Sequence, residues 1–177
     1  MNQPDNISLK RIETAHPEIR EDLRKAFCEA SDRINGKVFL RLAYVLRTFD
    51  EQSKLYDLGR TVLFNEKGER QGKVTFAKAG QSFHNYGLAF DIVLIYRDKP
   101  KAEFNTTADF DNDHKADWME AVEVFKKYGF EWGGEWSAGK CDLPHFQKTF
   151  GFSWSELLTK YNSKQFINNS YYPILDK

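Results

Sequence analysis

The stretch QSFHNYGLAFD at residues 81–91 leads from a histidine into an apolar strand, and CDLPHFQ at residues 141–147 follows it further along the chain. Together the two stretches contain two of the four histidines and two aspartates. Imidazole and carboxylate groups are the donors of catalytic zinc sites. We therefore interpret the rest of the chain as the scaffold that positions these two segments.

Asp91 is the one charged residue in the apolar strand pattern of residues 88–96. Burying a carboxylate there costs several kcal/mol unless it is paired or bound to metal. His84 precedes Asp91 by an odd number of residues, so one continuous strand would place the two on opposite faces. A turn over residues 85–87 would bring both side chains to one point.

The second stretch needs a similar bend, because Pro144 interrupts regular ladder pairing between Asp142 and His145. His84, Asp91 and His145 then form a three-ligand zinc site, with Asp142 as the base for the bound water. A single histidine or aspartate is usually a core or surface residue, and only the joint pattern favours a metal site.

The composition limits the classes of function. The 177 residues are 41% hydrophobic and carry 26 basic and 26 acidic groups, which favours one domain over residues 1–177 and disfavours nucleic acid as a partner. We expect a core over residues 8–161 and a tail over residues 162–177. The polar start lacks a signal-peptide pattern, and no apolar run is long enough for membrane insertion, so we expect synthesis in the cytoplasm. We also expect a monomer.

Two cysteines are too few for a disulfide framework, and we expect both Cys28 and Cys141 to be reduced. Cys141 lies close enough to His145 to be an alternative metal ligand, but the set without it is already complete.

Periodicity predicts the main elements, which are helices over residues 17–34, 51–58, 115–128 and 153–161 and strands over residues 38–46 and 88–96. Between the second strand and the third helix, the acids of residues 109–113 alternate as in a calcium-binding loop. We interpret this segment as lacking the glycine and the distal glutamate of such a loop, and therefore expect a helix-capping acidic turn, with calcium binding as the alternative.

The motifs S-x-H-x-x-G-x-A-x-D at residues 82–91, W-G-G-x-W at residues 132–136 and D-x-P-H-F at residues 142–146 resemble one family of zinc peptidases. That VanY-like family includes D-alanyl-D-alanine carboxypeptidases and dipeptidases and the L-alanyl-D-glutamate endopeptidases. The segment R-x-x-x-x-Q-x-x-L-Y-x-x-G-R-T at residues 47–61 fits the family as well. Residues 48–50 depart from the serine-rich helix start that is frequent there.

The resemblance implies a site in which each residue has a role. Zinc would be held by His84, Asp91 and His145, Asp142 would be the catalytic carboxylate, and Arg47 would polarise the scissile carbonyl. Substrate contacts would come from Ser82, Gln52, Trp132 and Trp136, although tryptophans beside glycines are as often core residues. Arg60 or Lys78 would meet the free α-carboxylate of D-glutamate.

The element order and the resemblance both imply an α+β fold, with a small antiparallel sheet, helices packed on one side and an open zinc cleft, as in hedgehog and D,D-peptidase-like domains. Asp142, where other branches carry glutamate, favours an L-alanyl-D-glutamate endopeptidase that acts on the peptidoglycan stem peptide. Together with the lack of a signal-peptide pattern, this suggests an endolysin released through a holin pore or a domain of a secreted protein. The alternatives are a D-alanyl-D-alanine carboxypeptidase and a non-catalytic zinc-stabilised module that binds the cell wall.

Overall fold

The computed structural model describes residues 5–168 and 170–176. Within them, one unit comprises residues 5–45 and 88–148, and a second comprises residues 46–87, 149–168 and 170–176. The single domain expected from the sequence stays a prediction. No helix in these described ranges is both long and apolar enough to cross a membrane.

The first unit is built on an antiparallel sheet. Its helices are α1 (Asn6–Ile12), α2 (Pro17–Arg33) and α4 (Asp117–Lys127), and its strands are β1 (Val38–Tyr44), β2 (Ala89–Tyr96), β3 (Ala102–Glu103), β4 (Glu131–Trp132) and β5 (His145–Gln147). The strand order is β1-β2-β5-β4, with β3 also paired to β2, and every pairing is antiparallel. This arrangement confirms the predicted α+β class with a small antiparallel sheet.

An aromatic cluster fills the core of this unit around Phe90 of β2. The Phe90 ring lies 4.8 Å from that of Phe125 on α4, 5.0 Å from that of Phe130 and 5.3 Å from that of Phe146 on β5. Such pairs add about 0.5–1.5 kcal/mol each beyond the burial of their area. The cluster therefore fixes β2 and β5 together at the level where Asp91 and His145 stand.

Helix α2 begins as its sequence predicts, with Pro17 at its first position and Nδ1 of His16 accepting a hydrogen bond from the Glu18 amide. Its predicted apolar face is fully buried and consists of Ile19, Leu23, Ala26, Phe27 and Ala30. The helix therefore covers the core with the stripe that its periodicity indicates.

The second unit contains α3 (Phe49–Asp57), a 3₁₀ turn (Phe83–Tyr86) and α5 (Trp154–Asn162). Phe49 stacks on Tyr161 at 4.5 Å and meets the edge of Tyr86 at 6.0 Å, which joins all three elements. The hydroxyl of Tyr86 donates to the carbonyl of Gly80 at 2.7 Å.

Helix α3 differs from its prediction. Leu55 and Leu58, which the pattern predicts as its buried face, are only half-buried, and Leu58 lies past the end of the helix. The fully buried residue of α3 is Gln52. Hydrophobicity alone predicts the wrong face here because a polar side chain with buried partners can replace an apolar one.

Candidate active site

His84 lies in the 3₁₀ turn just before β2, and not within the strand. Gly87 ends the turn with a left-handed backbone at φ 68°, and its amide donates to the His84 carbonyl at 3.2 Å. Glycine is the residue that takes this conformation without steric cost. The turn predicted over residues 85–87 is therefore confirmed, and it places His84 ahead of the strand that carries Asp91.

Arg47 is fixed beside His84 through the backbone. The Arg47 amide donates to the His84 carbonyl at 3.0 Å, and the side-chain amide of Asn85 donates to the Arg47 carbonyl at 2.8 Å. The next residue, Thr48, opens α3 with a capping box that it shares with Glu51, so the departure from a serine-rich helix start keeps the cap. These hydrogen bonds therefore hold a predicted ligand, His84, next to a predicted cation, Arg47.

Gln52 positions Arg47. Its Oε1 accepts from Nη1 of Arg47 at 3.1 Å, and its Nε2 donates to the Ala77 carbonyl at 2.7 Å. The Gln52 side chain is completely buried. The substrate contact stays a prediction, and the structure shows in addition that Gln52 holds the guanidinium.

Asp91 and His145 face each other across paired strands. They are register partners on β2 and β5, with Oδ1 of Asp91 3.2 Å from Nδ1 of His145. The bend predicted before His145 is present, since the His145 amide donates to the Asp142 carbonyl at 3.2 Å and the Ile92 amide donates to the Pro144 carbonyl at 2.9 Å.

A polar chain behind His145 escaped the sequence analysis. Nε2 of His145 lies 3.2 Å from Oε1 of Gln147, and Nε2 of Gln147 donates to Oε2 of Glu131 at 3.0 Å. Metal-binding histidines usually donate their second ring N–H to such an acceptor, which fixes the tautomer. The signal was available, because Gln147 lies two positions after His145 and so shares its face of a strand.

The side chains of His84, Asp91 and His145 form a group that can hold a metal ion, with ligand atoms that all lie within 4.8 Å of one another. Two imidazoles and one carboxylate are a donor set of catalytic zinc sites. Among the described residues, the group does not include Cys141, whose exposed thiol contacts the Gly134 carbonyl at 3.7 Å.

Asp142 is exposed and sits in a backbone turn against Gly133. Its amide donates to the Gly133 carbonyl at 3.0 Å. A Cβ atom on Gly133 would lie 2.5 Å from the Asp142 carbonyl oxygen, so only glycine permits this approach. Gly133 of the W-G-G-x-W motif therefore fixes the backbone position of Asp142.

The two tryptophans of that motif have different surroundings. Nε1 of Trp132 donates to the Leu143 carbonyl at 2.7 Å, and its ring packs under Gly134, so Trp132 supports the loop that carries Asp142. The Trp136 ring lies 5.2 Å from the His145 ring and is half-buried. A groove-lining role stays a prediction for both.

The remaining predicted contacts lie in the second unit. Ser82 is half-buried directly before the 3₁₀ turn. The Arg60 guanidinium stacks on the Tyr56 ring at 3.8 Å and donates to the carbonyls of Tyr56 and Thr75. Lys78 is exposed, with its Nζ 5.9 Å from the Tyr56 ring. Of the two cations, Lys78 has the more accessible charge.

Comparison with known proteins agrees with this geometry. Residues 75–148 match a family model described as D-alanyl-D-alanine carboxypeptidase. Over 101 residues the chain is 44% identical to peptidoglycan L-alanyl-D-glutamate endopeptidase CwlK of Bacillus subtilis (strain 168), a match that covers 57% of this chain and 55% of CwlK. The chain thus spans about half the length of that curated relative. His84, Asp91, Asp142 and His145 all lie within the segment that matches this family model.

Proposed function

We propose that this chain is a zinc-dependent peptidase that cleaves the L-alanyl-D-glutamate bond of the peptidoglycan stem peptide at the cell wall. The observation that carries the proposal is the grouping of the ligand atoms of His84, Asp91 and His145 within 4.8 Å. The relative CwlK is named for this cleavage, and it is 44% identical over the aligned residues.

The hydrogen bonds of His145 favour the tautomer that a zinc ligand needs. If Nε2 of His145 donates its proton to Gln147, the lone pair of Nδ1 is left for a metal, on the side of the ring where Asp91 stands. The Gln147 amide is oriented in turn by Glu131. When bound, zinc supplies Lewis-acid polarisation of a carbonyl and lowers the pKa of a bound water to about 7.

The chain's own groups supply the proton transfer and the charge stabilisation. The exposed carboxylate of Asp142 takes a proton from the attacking water and passes it to the nitrogen of the leaving amine. The Arg47 guanidinium, held by Gln52, places fixed N–H donors for the negative charge that develops on the scissile carbonyl oxygen. Lys78 is the candidate partner for the α-carboxylate of D-glutamate.

The family description favours one second candidate, a D-alanyl-D-alanine carboxypeptidase. The two activities differ in their products. An endopeptidase leaves L-alanine on the muramyl group and a new amino terminus on D-glutamate, whereas a carboxypeptidase releases free D-alanine.

The test is digestion of purified peptidoglycan by the zinc-loaded protein, followed by mass spectrometry of the fragments. We expect new D-glutamate amino termini and a loss of about 10²–10⁴-fold in rate for Asp142→Asn, the range for a general acid or base. Asp98→Asn, which removes an exposed carboxylate elsewhere in the chain, serves as the matched control and should leave the rate unchanged.

Three outcomes would contradict the proposal. Release of free D-alanine alone would identify a carboxypeptidase. Binding of zinc and wall fragments without any cleavage would identify a binding module. Full activity of Asp142→Asn would remove Asp142 from the chemistry.

A second experiment tests the metal site without using activity. Gln147→Leu removes the acceptor of the second His145 nitrogen, and outer partners of this kind change metal affinity by about 10–100-fold. Zinc competition against a chromophoric chelator measures the change. Wild-type affinity in Gln147→Leu would mean that the chain from Glu131 to His145 does not orient a metal ligand.

A further inference from the structure

The acidic loop, which we define as residues 109–120 with the sequence DFDNDHKADWME, carries a regular pattern of carboxylates. An EF-hand loop has twelve residues and binds calcium through positions 1, 3, 5, 9 and 12 and through the backbone carbonyl of position 7. Acidic residues occupy each of those five side-chain positions here, and they are Asp109, Asp111, Asp113, Asp117 and Glu120. We propose that the acidic loop is a calcium-binding site separate from the zinc ligands.

The expectation that this loop lacks its distal glutamate was wrong. Glu120 is the twelfth residue of the loop, within the first turns of α4.

His114 replaces the glycine of position 6 without changing the backbone shape. Its φ of 73° lies in the left-handed region for which glycine is normally required. The His114 amide donates to Oδ2 of Asp109 at 3.0 Å, and the Lys115 amide donates to Oδ1 of Asp113 at 2.8 Å. The chain therefore makes the sharp turn of an EF-hand loop despite the substitution.

Three of the carboxylates converge on one point. Ligand oxygens of Asp109, Asp111 and Asp117 all lie within 4.8 Å of one another. Like charges this close destabilise one another unless a cation lies between them. Proximity alone does not identify a site, but it defines where a cation would bind.

Buried oxygens without hydrogen-bond partners provide the independent observation. Asp117 is completely buried; its Oδ2 accepts from the Phe110 amide at 2.7 Å, whereas its Oδ1 has no hydrogen-bond partner in the described part of the chain. Glu120 is 5% exposed, and across residues 5–168 and 170–176 its Oε2 has no such partner either. Buried polar atoms almost always have a hydrogen-bond partner or a ligand, so these two oxygens indicate that a ligand binds here.

The carboxylate of Glu120 interacts electrostatically with the aspartates of the acidic loop. Burial, with added repulsion from Asp113, Asp111 and Asp117, raises the pKa of Glu120 to about 7. A divalent cation would offset that repulsion and would coordinate the oxygens of Asp117 and Glu120 that have no hydrogen-bond partner among the described residues. The two carboxylates of α4 would then each gain a partner.

The donor chemistry favours calcium. All the side-chain donors are oxygens, which suit hard cations, whereas zinc sites are built mainly on nitrogen or sulfur donors. Magnesium demands near-ideal octahedral geometry and keeps several waters, while calcium accepts a many-carboxylate loop.

Calorimetric titration with calcium chloride tests the proposal. Metal-stripped wild-type protein should bind one calcium ion with a Kd of roughly 10⁻⁶–10⁻⁴ M, inside the range of EF-hand sites. Glu120→Gln should weaken binding by at least about tenfold because position 12 is the bidentate ligand. The matched control is Glu123→Gln on the same helix, an exposed acid whose loss should change nothing.

Thermal melting separates a calcium site from a purely structural cluster. At calcium concentrations of 100 times Kd, the wild-type Tm should rise by about 5–10 °C. Without calcium, Glu120→Gln should melt no lower than the wild type, because it removes an unpaired buried charge. The two proteins should therefore exchange their order of stability when calcium is added.

The test is independent of the proposed peptidase. Asp91→Asn alters the zinc group but should keep the calcium affinity of the wild type. Absence of calcium binding by the wild type at millimolar concentration, or equal affinity in Glu120→Gln, would overturn the site. Loss of affinity in Asp91→Asn would mean that calcium binds at the zinc ligands instead.

Discussion

Gln52→Leu removes the polar side chain that holds Arg47 and leaves a residue of similar size. The substitution deletes the bond that Oε1 accepts from the Arg47 guanidinium at 3.1 Å and the bond that Nε2 donates to the Ala77 carbonyl at 2.7 Å. A hydrogen bond to a charged group contributes about 1.5–3 kcal/mol, and a neutral one contributes about 0.5–1.5 kcal/mol. Because Gln52 is fully buried, we expect the free energy of unfolding to fall by about 2–4 kcal/mol.

That loss is smaller than the total stability of a typical domain, about 5–15 kcal/mol, so the variant should still fold. For a chain of this size, Tm should fall by about 5–15 °C. If Gln52 also orients the guanidinium for catalysis, kcat should fall by about 10–100-fold with little change in KM, less than the 10²–10³-fold loss of an entire oxyanion donor.

The assays are differential scanning calorimetry and steady-state hydrolysis of a stem peptide. Ser53→Ala, an exposed neighbour on the same helix, is the control and should change neither result. A lower Tm with kcat within twofold of the wild type would refute the positioning role and leave Gln52 with a structural role only.

Two further substitutions test other parts of the scaffold. Gly134→Ala would place a Cβ atom 2.3 Å from the Trp132 indole, so we expect a loss of about 1–3 kcal/mol in urea unfolding, whereas Gly72→Ala, in open space, should be neutral. Partial burial opposes the ionisation of Asp5, but its hydrogen bonds with Arg41 and Ser8 lower its pKa overall. The stability from that pair should be complete above the unfolded pKa of about 3.9 and should disappear as the pH falls through the lower folded value. In Asp5→Asn this acid-dependent component of the urea midpoint should be absent, and an unchanged acid profile would contradict the assignment.

The sequence predicted the grouping of His84, Asp91 and His145 because these residues are chemically conspicuous. Asp91 is a charge in an apolar strand, and the turn before it is marked by Gly87, so both features follow from local physics. The short strands β3, β4 and β5 have two or three residues each, which is too few for a periodic pattern. Their positions depend on tertiary pairing with β2.

The features that the sequence did not reveal belong to polar groups whose roles depend on burial. Gln52 and Gln147 carry amides that have no distinctive pattern until their partners are known. Glu120 lies among the apolar residues of α4, and its relation to Asp109 is visible only when the loop is counted as twelve residues. Position in space, and not residue type, distinguishes these groups from ordinary surface side chains.

The sheet register has a consequence for how this chain tolerates insertions and deletions. Phe90 and Asp91 are consecutive residues of β2 and pair with Phe146 and His145, so the aromatic core and the metal group depend on opposite faces of the same two strands. A one-residue slip of β2 would turn Phe90 out of the core and Asp91 into it. Length changes between Gly87 and Asp91 should therefore abolish stability and metal binding together, whereas the loop at residues 65–69 can vary in length without affecting either.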